Sequence, residues 1–324
     1  MRIMISDLTV GVMVNLPLII KATTARETKA KKPYLQAEFY DGIDTIVGNY
    51  WDWNGASIPP KTAVYNIAAQ VGEWQGAKQL TVKSITTNYD IPYAEFLPKS
   101  GHDLNATYAE AYALLSEVND DTLRAVALGI FEATKPGWLL IPGAARIHHA
   151  FVGGTLVHSL AVAKIAKAIA ENTPGANVDL TVVGAMLHDL GKLYTYEMDG
   201  INIVMTAEGM MKEHAFMGAE FVGNFADSVL PMRSDQQDSK LELLRHIILS
   251  HHGKLEHGAV VTPMCIEAYI VSNADMIDAT AEQIREESRK ATADAQWTGR
   301  IWALDNKLQM TTQYVNAVMS PCEE

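Results

Sequence analysis

The chain has 324 residues, of which 48% are hydrophobic and 20% charged, so its length suits about two domains and its composition supports a sizeable core. Its net charge of −12 disfavours non-specific binding to duplex DNA, which depends on neutralising phosphates with Lys and Arg. No apolar run approaches the roughly 18 residues that span a bilayer, the N-terminus lacks the features of a signal peptide, and two lone cysteines do not make a disulfide framework. A cytoplasmic protein without a membrane partner is therefore expected.

Residues 1–92 have the alternation and the turn signals of β-structure. Strands are predicted at residues 34–40, 45–51, 64–71 and 79–85, with a turn at Asp41 and Gly42. Four or five short strands in a region of this length are typical of a small barrel. The region also has a basic stretch, which is either a site for a polyanion or a solvated loop. This stretch contains Lys21, Arg26, Lys29, Lys31 and Lys32.

The pattern changes to helix after the prolines that follow the barrel region. Residues 104–118 and 120–134 predict helices, with Asn119 and Asp120 as boundary or capping residues. From residue 146 the chain is predicted to be mostly helical, apart from one hairpin around Asp199 and Gly200. The last residues form an amphipathic tail.

Several helices aim histidine or aspartate toward the core. His158 shares one helix face with apolar residues four, seven and eleven positions later. His188 and Asp189 end a segment that is apolar nearly all round, and Gly191 is predicted to supply a left-handed cap there. Buried polar groups of this kind require a partner, because leaving them unpaired is costly.

Two later segments repeat this arrangement. His251 follows apolar residues on the same helix face, with His252 next in sequence and Gly253 ending the helix. A further helix, predicted to begin at Thr262, carries Asp275 on its apolar side. One histidine on an apolar face is more often a core residue than a ligand, but four helices with inward His or Asp favour a metal site. Imidazole and carboxylate ligands suit Mn, Fe, Co, Ni or Zn.

A divalent ion would supply the chemistry, since it lowers the pKa of bound water and polarises a phosphoryl oxygen. Lys192 emerges near the same helix end as His188 and is either a phosphate ligand or a surface lysine. His214 is either a ligand of a second ion or a capping residue. His149 lies shortly before Gly153 and is expected to line the substrate entrance.

These segments resemble a known family. In order, RIHHAFVGGTLVHSL, MLHDLGKLYTYE, EHAFMGAEFV, HIILSHHGKLEHG and SNADMIDA resemble the HD domain of the YhaM-type 3′–5′ exoribonucleases. The N-terminal segments ISDLTVGVMV, KKPYLQAEFYDGIDTIVGNYWD and WQGAKQLTV are similar to the OB-fold of that family. HDLGK alone marks only the HD superfamily, whereas the paired HH and GG block and SHHGKLE behind an OB-fold are more specific.

The resemblance implies an α+β protein with a small N-terminal OB-fold barrel and an all-α HD phosphohydrolase domain. The expected boundaries are 1–92 for the barrel, 93–140 for a helical connector, 141–300 for the HD domain and 301–324 for the tail. Two departures from the family pattern are DGID in the barrel and Val157, which stands where the family has a glutamate. The core metal ligands implied are His158, His188, Asp189 and Asp275, with His214, His251 and His252 at a second metal and Asp189, Lys192 and His149 as catalytic residues.

The leading functional hypothesis is a 3′–5′ exonuclease that hydrolyses single-stranded RNA, and DNA as a further substrate, to nucleoside 5′-monophosphates with metal-activated water. One or two ions are expected, with Mn²⁺ first and Fe, Co, Ni or Mg as alternatives. A phosphohydrolase of nucleotides, dNTPs or cyclic dinucleotides is the second hypothesis, and a non-enzymatic module with a decayed HD domain is the third. Self-association stays open. The expected RNA contacts are Tyr34, Trp53, Lys31 and Lys32.

Overall fold

A computed structural model describes residues 3–55, 57–97, 101–144, 151–291 and 295–309. The chain divides into two compact units. The barrel unit comprises Met1–Lys99 together with Met198–Val204, and the helical unit comprises Ser100–Glu197 with Met205–Glu324. Among the described residues, no helix has the length and apolar composition needed to cross a membrane.

Five strands close into a barrel in the order β1-β2-β3-β5-β4. Neighbouring strands are antiparallel except β3 and β5, which are parallel. This strand order confirms the predicted OB-fold. The strands are β1 (Met13–Glu27), β2 (Pro33–Tyr40), β3 (Thr45–Tyr50), β4 (Val64–Trp74) and β5 (Ala77–Asn88).

Strand β1 precedes the first strand that alternation predicts. Its sequence has a continuous apolar run and Pro17, so it lacks the period-two signal of a half-buried strand. The structure explains the run, because the first half of β1 pairs with β4 and the second half pairs with β2. The register shifts between Ile20 and Ala22, where the strand changes partner.

The barrel interior is filled by aliphatic side chains around Phe39, which is fully buried. Gly48 on the neighbouring strand makes room for that ring, because a Cβ there would lie 2.6 Å from Phe39 Cε2. The rest of this core includes Leu16, Leu18, Ile20, Ala37, Ile46, Ile67, Leu80 and Val82.

The helical unit has ten helices among its described residues. They are α1 (Leu104–Ser116), α2 (Asp121–Ala133), α3 (Lys135–Leu140), α4 (Gly154–Glu171), α5 (Val178–Leu187), α6 (Lys192–Thr195), α7 (Ala207–Lys212), α8 (His214–Val229), α9 (Asp235–Ser250) and α10 (Ile266–Lys290). The predicted hairpin is confirmed as β6 (Tyr196–Asp199) and β7 (Asn202–Met205), with Gly200 at φ 67° in its turn.

Helix α5 lies at the centre of the helical unit and contacts α2, α4, α9 and α10. This position explains why its sequence is apolar on all sides. Helices α1 to α3 lie in the stretch predicted as a connector, yet Leu115, Phe131 and Trp138 are buried in the same core as α4 and α5. Residues 104–140 therefore pack as part of the helical unit.

The prediction that Thr262 begins a helix is wrong. Helix α10 begins four residues later at Ile266, with Cys265 at its N-cap position. The downstream phase is unaffected, because Ala268 and Val271 are fully buried and Asp275 lies on the same inward side.

Candidate metal centre

Three helices bring the four predicted core ligands to one place. His158 lies in the second turn of α4, and His188 and Asp189 directly follow α5. Asp275 lies in the third turn of α10. His158, His188 and Asp189 are buried because their helices pack on one another through apolar faces.

The four side chains form one group, in which both histidines approach the same oxygen of Asp189. The Nε2 atoms of His158 and His188 lie 3.2 Å apart. Asp189 Oδ2 lies 3.6 Å from His158 Nε2 and 3.4 Å from His188 Nε2. Asp275 Oδ1 completes the group at 3.1 Å from His158 Nε2 and 4.0 Å from His188 Nε2. The structure therefore brings together all four residues that the resemblance implies as core ligands.

A second set of histidines faces the other oxygen of the same carboxylate. His214 Nε2 and His251 Nε2 lie 3.3 Å apart, and Asp189 Oδ1 lies 3.5 Å and 3.7 Å from them, respectively. The ring of His252 is 4.9 Å from that of His214 and 4.1 Å from that of His251. Asp189 thus stands between two groups of potential ligands. We call the seven residues His158, His188, Asp189, His214, His251, His252 and Asp275 the metal cluster.

Backbone carbonyls fix which nitrogen of two histidines carries a proton. His188 Nδ1 donates to Ala185 O at 2.7 Å, and His251 Nδ1 donates to Ile248 O at 2.6 Å. A carbonyl oxygen can only accept, so the neutral imidazole of each residue has its proton on Nδ1 and a free lone pair on Nε2. Both lone pairs face the metal cluster.

Asp278 is a functional residue that the sequence reasoning missed. It is buried, and its Oδ2 accepts a 2.7 Å hydrogen bond from His158 Nδ1. A carboxylate behind a histidine orients the ring and strengthens it as a metal ligand. The available signal was the spacing from Asp275, since residues three apart share one face of a helix.

The family comparison agrees with this arrangement. Residues 155–280 match the family model described as the HD domain. The helical unit contains an HD domain. HD domains are metal-dependent phosphohydrolases, so the predicted enzyme class and the requirement for a divalent metal are confirmed.

Whole-chain comparisons confirm the resemblance to the YhaM-type proteins. Proteins named 3′–5′ exoribonuclease YhaM from Listeria welshimeri and Listeria monocytogenes are each 28% identical to this chain over 308 residues. The aligned part covers 93% of this chain and 96% of each relative. A domain of replication protein A from Methanococcus maripaludis matches 27% of this chain and 94% of its own, at 18% identity, but its TM-score of 0.24 is too low to bear on the fold. The HD domain and the YhaM relatives show that the protein is a metal-dependent nuclease or phosphohydrolase.

The electrostatics of the HD domain favour a cation at the metal cluster. Burial opposes a charge on His158, but hydrogen bonds to Asp275 and Asp278 and the negative charge of Asp189 outweigh it and raise its pKa to about 9. Burial would raise the pKa of Asp275, yet the neighbouring histidines hold it well below its usual value. The metal cluster therefore favours a positive charge although it is shielded from water.

His251 differs from His158 because no carboxylate stands behind it. Burial and the neighbouring imidazoles of His252, His188 and His214 hold its pKa well below the usual value. His251 is consequently neutral, which is the form that binds a metal.

The surroundings of Asp189 and the spacing of the donors fit a divalent ion. Both carboxylate oxygens of Asp189 are buried: Oδ2 lies beside the Lys192 ammonium group, and Oδ1 accepts no hydrogen bond from the residues that the structure describes. Two ligand atoms about 2.1 Å from one ion lie about 3.0–3.4 Å apart, according to geometry. The separations of 3.2 Å for the His158 and His188 pair and 3.3 Å for the His214 and His251 pair match this range.

Lys192, the first residue of α6, contacts the metal cluster. Its Nζ lies 2.7 Å from Asp189 Oδ2 and donates a 2.8 Å hydrogen bond to Gly143 O. Burial would lower the pKa of Lys192, but the charge of Asp189 outweighs it and raises that pKa. The ammonium group is therefore positive at neutral pH and lies beside the carboxylate.

The prediction that Gly191 is a left-handed cap is wrong. Its φ is −62° and its ψ is −22°, which any residue can adopt. Glycine is required there by a close approach, because a Cβ would lie 1.9 Å from the carbonyl oxygen of His214 and 2.8 Å from the amide nitrogen of Gly218. Gly191 thus lets the first turn of α8, which carries His214, lie against the end of α5.

The predicted RNA contacts lie on one side of the barrel unit. The rings of Tyr34 and Trp51 are 4.4 Å apart at an angle of 31°. Lys32 Nζ lies 3.4 Å from Asp52 Oδ1, Lys31 is exposed in the turn between β1 and β2, and Trp53 is half-buried. We call Lys31, Lys32, Tyr34, Trp51 and Trp53 the aromatic–basic face. His149, predicted at the substrate entrance, lies outside the described residues.

Proposed function

We propose that this protein is a 3′–5′ exoribonuclease that hydrolyses single-stranded RNA to nucleoside 5′-monophosphates, with DNA as a further substrate. The observation that carries the proposal is the position of Asp189 between two groups of buried histidines, in a chain that also has an OB-fold. The similarity to proteins named 3′–5′ exoribonuclease YhaM, which extends over 93% of the chain, supports it.

The proposed centre holds two divalent ions that share Asp189. His158, His188, Asp189 and Asp275 would hold one ion, and His214, His251, His252 and Asp189 would hold the other. Mixed imidazole and carboxylate ligands favour Mn²⁺, with Fe, Co, Ni and Mg as alternatives. When bound, such ions lower the pKa of water and polarise a phosphoryl oxygen.

Residues of the chain itself would position the scissile phosphate. Lys192 brings a buried positive charge beside Asp189, where it would offset the negative charge of a phosphodiester. Asp278 holds the ring of His158, and the Ala185 and Ile248 carbonyls hold His188 and His251. The ligand atoms are therefore oriented before substrate arrives. His149 remains the proposed substrate-side residue.

The aromatic–basic face would bind the single strand. OB-folds bind oligonucleotides on the face of strands 2 and 3, where bases stack on aromatic rings. Tyr34 lies on β2 and Trp51 directly follows β3, with Lys31 and Lys32 in the turn before β2. Gln36 Nε2 donates to Asn49 Oδ1 at 3.1 Å on the same pair of strands, which adds amide groups suited to base edges.

The proposal is tested by product analysis with a 5′-labelled single-stranded RNA and Mn²⁺. We expect a ladder that shortens from the 3′ end, with nucleoside 5′-monophosphates as products and no reaction in EDTA. Asp189→Ala should reduce the rate by more than the roughly 10–100-fold that follows loss of an outer hydrogen bond to a metal ligand. Asp121→Ala is the matched control, because its side chain is 90% exposed on α2. An Asp189→Ala variant that trims RNA at the wild-type rate would refute the site assignment.

A phosphohydrolase of small nucleotides is the second candidate. Its supporting observation is that residues 101–324 carry a net charge of −13 and residues 1–100 one of +1, which disfavours a long polyanion at the HD domain. Deletion of the barrel is a poor test, because Ile201 of the hairpin is buried with Ile19 and Phe96 of the barrel unit. A better variant combines Tyr34→Ala with Trp51→Ala, which should weaken RNA hydrolysis but leave hydrolysis of nucleotides and cyclic dinucleotides unchanged.

A further inference from the structure

Glu213 has a backbone conformation that side-chain-bearing residues rarely adopt. Its φ is 63° and its ψ is 150°, a region that is essentially reserved for glycine. Strain of this kind persists only where the surrounding structure determines it, and it is concentrated at functional sites.

The chain on both sides of Glu213 is tightly fixed. Its N–H donates to Gly209 O at 3.0 Å and closes α7, while its carbonyl accepts from Met217 N at 3.1 Å and opens α8. A Cβ on Gly209 would lie 2.7 Å from Thr195 O, so α7 lies directly against that residue. Glu213 is therefore a single-residue joint between two pinned helices, and glycine would fit the joint with less strain.

The side chain of Glu213 faces the histidine that follows it. Its Oε2 lies 3.7 Å from His214 Nδ1, an ion-pair distance. The opposite nitrogen of that ring, His214 Nε2, faces Asp189 Oδ1 and His251 Nε2. The order carboxylate, histidine, cluster repeats the order of Asp278, His158 and the cluster on the other side of Asp189.

We propose that Glu213 is a positioning residue, whose carboxylate holds the proton of His214 on Nδ1 and keeps Nε2 available to a divalent cation. This inference rests on the proposed metal centre. The strained backbone is the consequence: a glycine would relax the joint but leave the Nδ1 of His214 without its carboxylate, whereas the Nδ1 atoms of His188 and His251 are held by backbone carbonyls. Stability is given up at this position for the orientation of one ligand.

The test separates strain from the carboxylate by comparing Glu213→Gly, Glu213→Ala and Glu213→Gln in the full chain. Ala keeps the strain and removes the carboxylate, Gly removes both, and Gln keeps an oxygen in that position but removes the negative charge. Mn²⁺ is titrated calorimetrically into metal-free protein, and Co²⁺ absorption reports the ligand geometry. We expect the affinity for the weaker-binding ion to fall about 10–100-fold in the Gly and Ala variants and less in Gln. We also expect the melting temperature of the metal-free Gly variant to exceed that of the Ala variant by at least about 2 °C.

Two results would overturn the inference without touching the proposed function. One is wild-type Mn²⁺ affinity and an unchanged Co²⁺ spectrum in Glu213→Gly, which would show that the carboxylate does not position His214. The other is equal stability of the metal-free Gly and Ala variants, which would show that the joint is not strained. A wild-type protein that binds neither Mn²⁺ nor Co²⁺ would instead refute the metal centre itself, so the two failures are distinguishable.

Discussion

The metal cluster and the aromatic–basic face differ in how their side chains are fixed. In the cluster, the Nδ1 atoms of three buried histidines donate to Ala185, Ile248 and Asp278, which fixes the orientation of these three rings. On the barrel, Lys32 is 60% exposed and has only an exposed aspartate as its ion-pair partner. Burial forces polar groups to be satisfied, whereas solvent satisfies exposed ones at little cost. Changes in the cluster should therefore disturb a preorganised site, and changes on the barrel should alter affinity alone.

The largest expected effect comes from Gly191→Ala. The added methyl would overlap the backbone of His214 and Gly218, which is not a flexible side chain that can turn away. We expect a destabilisation of at least about 3 kcal/mol and loss of Mn²⁺ binding, measured by urea unfolding and calorimetry. Gly223→Ala on the same helix α8 is the control, since its methyl would meet only the Arg245 side chain at 3.4 Å. Equal stability of the two variants would show that α8 can move away from Gly191 freely.

Asp278→Asn should have the next largest effect. The amide oxygen can still accept from His158 Nδ1, but the negative charge that strengthens this ligand is lost. We expect Mn²⁺ affinity to fall about 10–100-fold in calorimetric titrations. Glu282→Gln is the matched control, because Glu282 is also buried on α10 but pairs with Arg285. Unchanged affinity in Asp278→Asn would mean that packing alone orients His158.

Tyr34→Ala tests the role of the aromatic–basic face. A base stacked on an aromatic ring contributes about 1–3 kcal/mol, so RNA binding should weaken by roughly 5–100-fold. Fluorescence anisotropy with a labelled single strand measures this change, and Mn²⁺ affinity should not alter. Trp74→Ala is the control, since Trp74 is 65% exposed near the turn between β4 and β5, beyond the aromatic–basic face. A larger loss for Trp74→Ala would place the RNA on another part of the barrel.

The contrast also explains which parts of the site the sequence could predict. Helical periodicity aims His158, His251 and Asp275 at the core, and the structure places His158 and His251 beside Asp189 and Asp275 beside His158. Such predictions need only the phase of one helix, which apolar neighbours define. The inward orientation predicted for Asp275 is correct although the predicted start of α10 is wrong, because the orientation depends only on the phase of the helix.

Features that depend on contacts distant in sequence were not predictable. The need for glycine at position 191 arises from His214, which lies on a different helix. Asp278 lies in a polar stretch of α10 that is typical of a solvated face, and only the approach of α4 makes it a partner of His158. Strand β1 was missed because its apolar run becomes buried only when the barrel closes. The sequence of one strand does not show that the sheet closes into a barrel.

The smallest expected effect comes from a change at Asp120, which should lower the stability of the helical unit and leave metal binding unchanged. Asp120 accepts from Thr122 N and Leu123 N at the start of α2 and forms an ion pair with Lys240 of α9. Burial would raise its pKa, but the Lys240 hydrogen bond, the backbone donors and the Lys240 charge outweigh it and lower that pKa below its usual value. A carboxyl with a lowered folded pKa stabilises the fold fully above its unfolded pKa of about 3.9 and loses that contribution as pH falls through the folded value.

Asp120→Asn should therefore reduce the free energy of unfolding at pH 7 by about 0.5–1 kcal/mol, because asparagine keeps the cap but loses the ion pair. The difference from wild type should shrink as the pH is lowered from 5 toward 2, as measured by urea titration at each pH. Asp121→Asn is the neighbouring control, because that side chain is almost fully exposed and its ion pair with Arg124 is screened by solvent. Mn²⁺ affinity at pH 7 should stay at the wild-type value in both variants, since neither residue contacts the metal cluster. A difference that persists unchanged at low pH would show that the ion pair between Asp120 and Lys240 contributes nothing to the stability of the fold.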